Sequence, residues 1–219
     1  MPFWPFNRPF KQKEKPLPPS PPTGFQALVG LGNPGDQYKS TRHNIGFLFL
    51  DHLAQSQQQT WKKEKRYESE STTIELAGQK LLLLKPQTFM NNSGKSVASL
   101  MRYQRWEAGS IIVAHDEINL PLGALKLSNQ GSAGGHNGIS DIFRHGAKDI
   151  LRFRLGIGQK QHKQMELTDH VLGKFSSEET NQLQGRMEEW KDALELILVQ
   201  GATKAMNLIN RKDKKNELN

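Results

Sequence analysis

Hydrophobic and polar positions run along this chain in blocks of changing period, and the blocks place the elements. Ala27, Leu28 and Val29 open a short apolar run that predicts a strand over about 26–31. Apolar positions at helical spacing then predict a helix over about 44–57. Two moderately polar strands are expected at about 62–68 and 71–77. KLLLLKP, residues 80–86, is continuously apolar and reads as a strand buried on both faces. A helix at about 92–104 leads to a further buried strand, SIIVAHDE, at 110–117. LKLS (125–128) and ILRFRLGIG (150–158) read as strands, with a helix at about 137–145 between them. In ILRFRLG the period of two sends Arg152 and Arg154 to one face and Phe153 to the other. Ser176 and Glu179 have capping-box spacing. From there Leu183, Met187, Trp190, Leu194, Ile197, Gly201, Ala205 and Leu208 trace one face of a single long helix. Strands alternating with helices imply an α/β protein: a single-domain three-layer sandwich, its mixed, largely parallel twisted sheet flanked by helices, with an amphipathic helix at the C-terminus.

The two ends break the pattern. Eight of the eleven prolines fall in residues 1–24, a segment unable to join a helix or a sheet and expected to stay extended or disordered. Arg8, Lys11, Lys13 and Lys15 against Glu14 make it basic, and residues 211–219 form a second basic tail, leaving 25–210 as the folded domain. The whole chain of 219 residues carries a net charge of +8, which favours a polyanionic partner such as nucleic acid. Cysteine is absent, which excludes disulfides, a thiol nucleophile and thiolate metal sites. No apolar run approaches the ~18–20 residues that span a membrane. The N-terminus also lacks an apolar core with a small-residue cleavage site, so a cytoplasmic protein is expected.

Chemistry concentrates in three loops that follow strands: GLGNPGDQYKSTRHN (30–44), FMNNSGKS (89–96), and AHDEINLPLG with SNQGSAGGHNG (114–138). GLGNPG also spells the dinucleotide fingerprint, but Pro34 precedes the third glycine and no helix opens there. Asp51, the nearest candidate ribose acid, lies inside a helix. Pro34-Gly35 fits a turn instead. His43 offers a neutral base, and Asp116, delivered to the end of a buried strand, can orient it. Asn33, Asn91, Asn92 and Asn137 each carry a donor and an acceptor without titrating, and also suit turns. GSAGGHNG could cradle a phosphate but lacks the order of a Walker loop, and His136 there is either a site residue or a helix-opening one. Lys126, Arg152 and Arg154 could touch phosphate or simply face solvent. The histidines share no metal-ligand spacing, and no serine sits in a nucleophile elbow. What remains suits direct attack by an activated water on an ester carried by a polyanion.

GLGNPGDQYKSTRHNIGF, KPQTFMNNSGKSV, VAHDEINLPLG, GSAGGHNGISDI and RLGIG, in this order, closely resemble the bacterial peptidyl-tRNA hydrolase family over about residues 26–210. The resemblance implies a monomeric, cytoplasmic, cofactor-free enzyme, independent of metal. It would cleave the ester between peptide and tRNA in peptidyl-tRNA dropped by stalled ribosomes, with the large ribosomal subunit as a second partner. By the same resemblance His43 is the catalytic base, Asp116 its support, and Asn33 the residue that separates peptidyl-tRNA from free aminoacyl-tRNA. Tyr38, Phe89, Asn91 and Asn137 would hold the tRNA 3′ end with its peptide, and Asn44, Met90 and His136 would line the same cleft. Arg154 would lie near the 5′ phosphate, with Lys126 on the adjacent strand. The family usually has a second basic residue two positions after Lys126; this chain has Ser128. The alternative is a non-catalytic RNA-binding relative, since some organellar members act as splicing factors.

Overall fold

The computed structural model describes residues 24–216 apart from 161 and 163, with side chains as far as residue 211. Nearly all of the proline-rich extension therefore lies outside the described residues. Among the described residues seven strands are present: β1 (Ala27–Gly30), β2 (Lys62–Glu64), β3 (Ser69–Leu76), β4 (Gln79–Pro86), β5 (Ile111–Glu117), β6 (Leu125–Ser128) and β7 (Leu151–Gly156). They pair in the order β2-β3-β4-β1-β5-β7-β6. The centre, β4-β1-β5-β7, is parallel, and both wings are antiparallel. The sheet is thus mixed, as expected, with its parallel character confined to the four middle strands.

Period-two alternation splits the apolar residues between two faces. Leu28, Leu81, Leu83, Ile112, Leu151, Phe153 and Leu155 pack against α1 (Ile45–Ser56), α5 (Ser177–Gln200) and α6 (Ala202–Asn216). Val29, Leu84, Ile111 and Val113 pack against α2 (Ser93–Gln104) and α3 (Asn137–Arg144). Phe49 stacks on Phe153 at 5.4 Å and meets Trp190 edge-on at 5.7 Å, which anchors α1 and α5 to the same patch of sheet. Truncating a ring buried this fully costs about 3–5 kcal/mol. Phe153 faces this core while Arg152 and Arg154 point to the other side, as the alternation requires.

β1 lies between β4 and β5, and the helices that follow β1 and β4 leave to opposite faces. The carboxyl end of β1 is therefore a switch point, where α/β folds open a crevice. Two glycines set its geometry. A Cβ on Gly30 would stand 2.5 Å from the Gly46 carbonyl oxygen, and one on Gly46 only 2.6 Å from the Ala114 oxygen and the Leu31 nitrogen. Only this pair lets the start of α1 seat directly on the ends of β1 and β5. That contact brings the residues just before α1 to the residues just after Ala114.

Three expectations change. The long C-terminal helix is two helices: Gly201, at φ 79°, ends α5, and α6 turns onto β6. The apolar period runs on past the break to buried Ala205, yet Gly201 itself and Leu208 are exposed. The expected strand at 62–68 stops at Glu64, and a 3-10 turn, Lys65–Tyr67, ends at Glu68 with φ 47°. Helix α4 (Leu167–Leu172), only six residues long, is too short for its sequence to show a helical period. The basic tail likewise begins inside α6, which continues to Asn216.

Asn210 on α6 closes the sheet at β6. Its Oδ1 accepts from the Leu127 N–H at 2.9 Å and its Nδ2 donates to the Leu127 carbonyl at 3.0 Å.

Candidate active site

The fingerprint reading of GLGNPG fails on geometry. Gly35 takes the expected positive φ, 105°, at a bend, and no α-helix opens before Ile45. Asp51 instead pairs with the buried Lys85 at 2.8 Å, whose ammonium also lies 4.0 Å from the Trp61 ring.

The residues before α1 form a 3-10 turn, Arg42–Asn44, and all three are buried. Arg42 anchors the turn from behind: it donates to both oxygens of Glu179 at 2.9 and 2.8 Å and to the Lys174 carbonyl at 2.7 Å. Glu179 also completes the capping box of α5 with Ser176, so the start of that helix and the turn are fixed together.

His43 and Asp116, separated by 73 residues in sequence, meet in this turn. His43 Nδ1 lies 2.7 Å from Asp116 Oδ1. His136 Nε2 lies 3.0 Å from the same oxygen. Burial pushes the Asp116 carboxyl up, but the His136 and His43 imidazoles outweigh it and hold the group far below the usual carboxylate range. An ionised carboxylate only accepts, so both facing ring nitrogens carry protons. His43 is thereby fixed with Nδ1–H toward Asp116 and its Nε2 lone pair free, the tautomer a general base needs. His136 is fixed from its other side too: its Nδ1 accepts from the Ile139 N–H at 3.2 Å and caps α3. Next to it, burial holds the His115 imidazole well below its ordinary value, with the neighbouring His136 adding to the effect, so His115 stays neutral.

His43, Asp116 and His136 place three potential metal-ligand atoms within 4.8 Å of one another, a cluster that sequence spacing does not reveal. The hydrogen-bond directions oppose a metal there. A metal on His136 Nε2 would move that ring's proton to Nδ1, where the Ile139 N–H already points.

Asn33 faces the pair from the β1 loop. Its Oδ1 accepts from the Met90 N–H at 2.8 Å, which leaves its NH₂ as the group available to a ligand. Asn44, beside His43, holds the Asn33 main chain through two bonds of 2.9 Å. Met90 is buried, and a Cβ on Gly138 would meet its sulfur at 2.6 Å. It therefore joins the Asn91 loop to α3 rather than presenting a surface. Around this floor stand Phe89, half-buried Tyr38 (edge-to-face with Phe89 at 6.4 Å), Asn91 and Asn137, of which all but Tyr38 are exposed.

The basic strand residues separate in role. Arg152 is buried, and its guanidinium donates to the carbonyls of Ser132 and Gln130. It shapes the glycine-rich loop and does not reach a phosphate. Arg154 is partly exposed and pairs with Glu117 at 2.6 Å. Lys126, opposite Arg154 across the β6–β7 ladder, is exposed. Glu117 was not anticipated; thirty-seven residues separate it from Arg154, and only the β5–β7 register brings them together. A cavity of about 600 Å³ lies apart from these groups, between the 120–125 loop and α5, with Arg186 on its wall paired to Glu189.

A three-layer α/β fold with a carboxylate-steadied imidazole at its switch point is an arrangement able to activate water by general base. Comparison with known proteins narrows the class. A sequence model of the peptidyl-tRNA hydrolases matches residues 27–217. The peptidyl-tRNA hydrolase of Thermotoga petrophila is 44% identical over 184 residues, covering 84% of this chain and 96% of that protein. That of Gloeobacter violaceus is 42% identical, covering 85% and 94%. The crystal structure of peptidyl-tRNA hydrolase from Acinetobacter baumannii superposes with a TM-score of 0.77 at 37% identity, covering 85% of this chain and 94% of that one. The chain belongs to the peptidyl-tRNA hydrolase family.

Proposed function

We propose that this protein hydrolyses the ester between a peptide and the terminal ribose of tRNA, with His43 as general base. His43 Nε2 takes a proton from water as the oxygen attacks the ester carbonyl. The tetrahedral intermediate then expels the ribose oxygen, which recovers a proton from the imidazolium. Asp116 stabilises that imidazolium through the Nδ1–H bond. The observation that carries this reading is the buried 2.7 Å contact between Nδ1 and an ionised carboxylate, which leaves only Nε2 to act.

Asn33 supplies selection. Its free NH₂ can donate to a carbonyl oxygen of an N-blocked substrate, whereas the α-ammonium of free aminoacyl-tRNA has only donors and would be left poorly solvated. Phe89 and Tyr38 offer an aromatic platform for the tRNA 3′ end, with Asn91 and Asn137 beside it. Arg154 and Lys126 face the phosphate backbone. Among the described residues no helix is long and apolar enough to cross a membrane. A monomer working in the cytoplasm, next to the large ribosomal subunit, fits a substrate produced by translation.

The test is incubation with N-acetyl-aminoacyl-tRNA and with unblocked aminoacyl-tRNA. Cleavage of the first with sparing of the second is expected. Failure to cleave either would leave an RNA-binding relative of the fold.

A further inference from the structure

We infer that Asn44 is a positioning residue that ties substrate selection to catalysis, by holding the main chain of Asn33 at a fixed place relative to His43. The inference rests on the reading of His43 as base and Asn33 as selector. Asn44 follows His43 in the same 3-10 turn and is only 2% exposed, so it touches substrate little. Both halves of its amide are spent on one residue: Oδ1 accepts the Asn33 N–H and Nδ2 donates to the Asn33 carbonyl, each at 2.9 Å. Among the described residues no other hydrogen bond reaches the Asn33 main chain. A second fixed point comes from the Met90 N–H on Asn33 Oδ1. Three bonds thus aim the Asn33 NH₂, and two of them originate beside the base. The arrangement works like a two-bond bridge between strands, made by one side chain.

Selection by an NH₂ group depends on exclusion. An α-ammonium is rejected only while the donor stays close and no water can enter to solvate the charge. A displacement of about 1 Å in such a site is enough to cost about 10²-fold in rate. Loosening the Asn33 loop should therefore slow cleavage of the correct substrate and admit the wrong one.

Asn44→Ala and Asn44→Asp are compared with the wild-type protein on N-acetyl-aminoacyl-tRNA and unblocked aminoacyl-tRNA, with melting temperature and binding of deacylated tRNA as controls. Asn44→Asp keeps the acceptor for the Asn33 N–H and loses the donor, and carries the test if Asn44→Ala does not fold. The expected result is a selectivity ratio, kcat/KM for blocked over unblocked substrate, reduced about tenfold or more in Asn44→Ala and by less in Asn44→Asp, with deacylated tRNA bound as before. A ratio unchanged in folded variants overturns the inference. Asn33→Ala separates the two levels. If it abolishes selectivity while the Asn44 variants keep it, the positioning role fails and the selector stands; if it too leaves selectivity intact, both fail.

Discussion

On the floor of the site, His43, Asp116, Asn33 and Asn44 are each at most 9% exposed and are bonded in two pairs, His43 to Asp116 and Asn33 to Asn44. On the rim, Phe89 is 55% exposed, and Asn91 and Asn137 also stand in solvent. The floor is preorganised, which removes the cost of turning dipoles when charge develops in the transition state. The rim is left adaptable, which suits a large polyanion that must dock and leave. The proposed function thus assigns chemistry to the floor and binding to the rim, and substitutions on the two sides should fail in different ways.

The largest difference is expected from His43→Ala, with kcat lower by about 10²–10⁴ and deacylated tRNA bound as tightly as before. Loss of tRNA binding instead would move His43 from the floor to the rim. Phe89→Ala should do the reverse, raising KM by the equivalent of about 1–3 kcal/mol of stacking while kcat holds; a fall in kcat alone would merge the two regions.

Asp116 sharpens the comparison through pH. Its folded-state pKa lies far below the unfolded value of about 3.9, so the unfolded chain binds the proton first. The stability it contributes is complete above about pH 5 and drains away as the pH falls through about 4 and lower. Asp116→Asn should flatten the plot of Tm against pH between about 3 and 5. An unchanged slope would mean that the carboxylate is not held ionised by its two imidazoles.

The smallest expected effect is on salt. Arg154→Ala should reduce the slope of log affinity for tRNA against log salt by about one, whereas Arg152→Ala should leave the slope and lower stability, since its guanidinium serves two loop carbonyls. Equal slopes for wild type and Arg154→Ala would remove Arg154 from the phosphate contact and leave it as the partner of Glu117.

The arginine pair also marks how far periodicity carries. Alternation correctly placed Arg152 and Arg154 on the same face, because strand geometry is local. It was silent on which of them the glycine loop would consume, because that depends on carbonyls twenty and twenty-two residues away. The α/β architecture was legible for the same reason: buried strands and amphipathic helices sign their period. His43 was legible as a loop residue following a strand and Asp116 at the end of the buried strand β5, and the motif resemblance joined them as the proposed base and its support. Their actual meeting depends on the Gly30–Gly46 contact, which only packing reveals. Shortness hid α4, whose six residues span less than two turns, and the double duty of Asn44 was invisible, because a side-chain amide that mimics a strand has no period of its own.

The Asn210 amide at the other margin of the sheet has a different consequence. An unpaired edge strand is a template on which a neighbouring molecule can extend the ladder. By taking up the outward N–H and carbonyl of Leu127, one side chain from α6 denies that template to a second copy. Removing the amide, as in Asn210→Ala, would reopen the margin, and its signature would be growing assemblies in concentrated solution rather than any change in turnover.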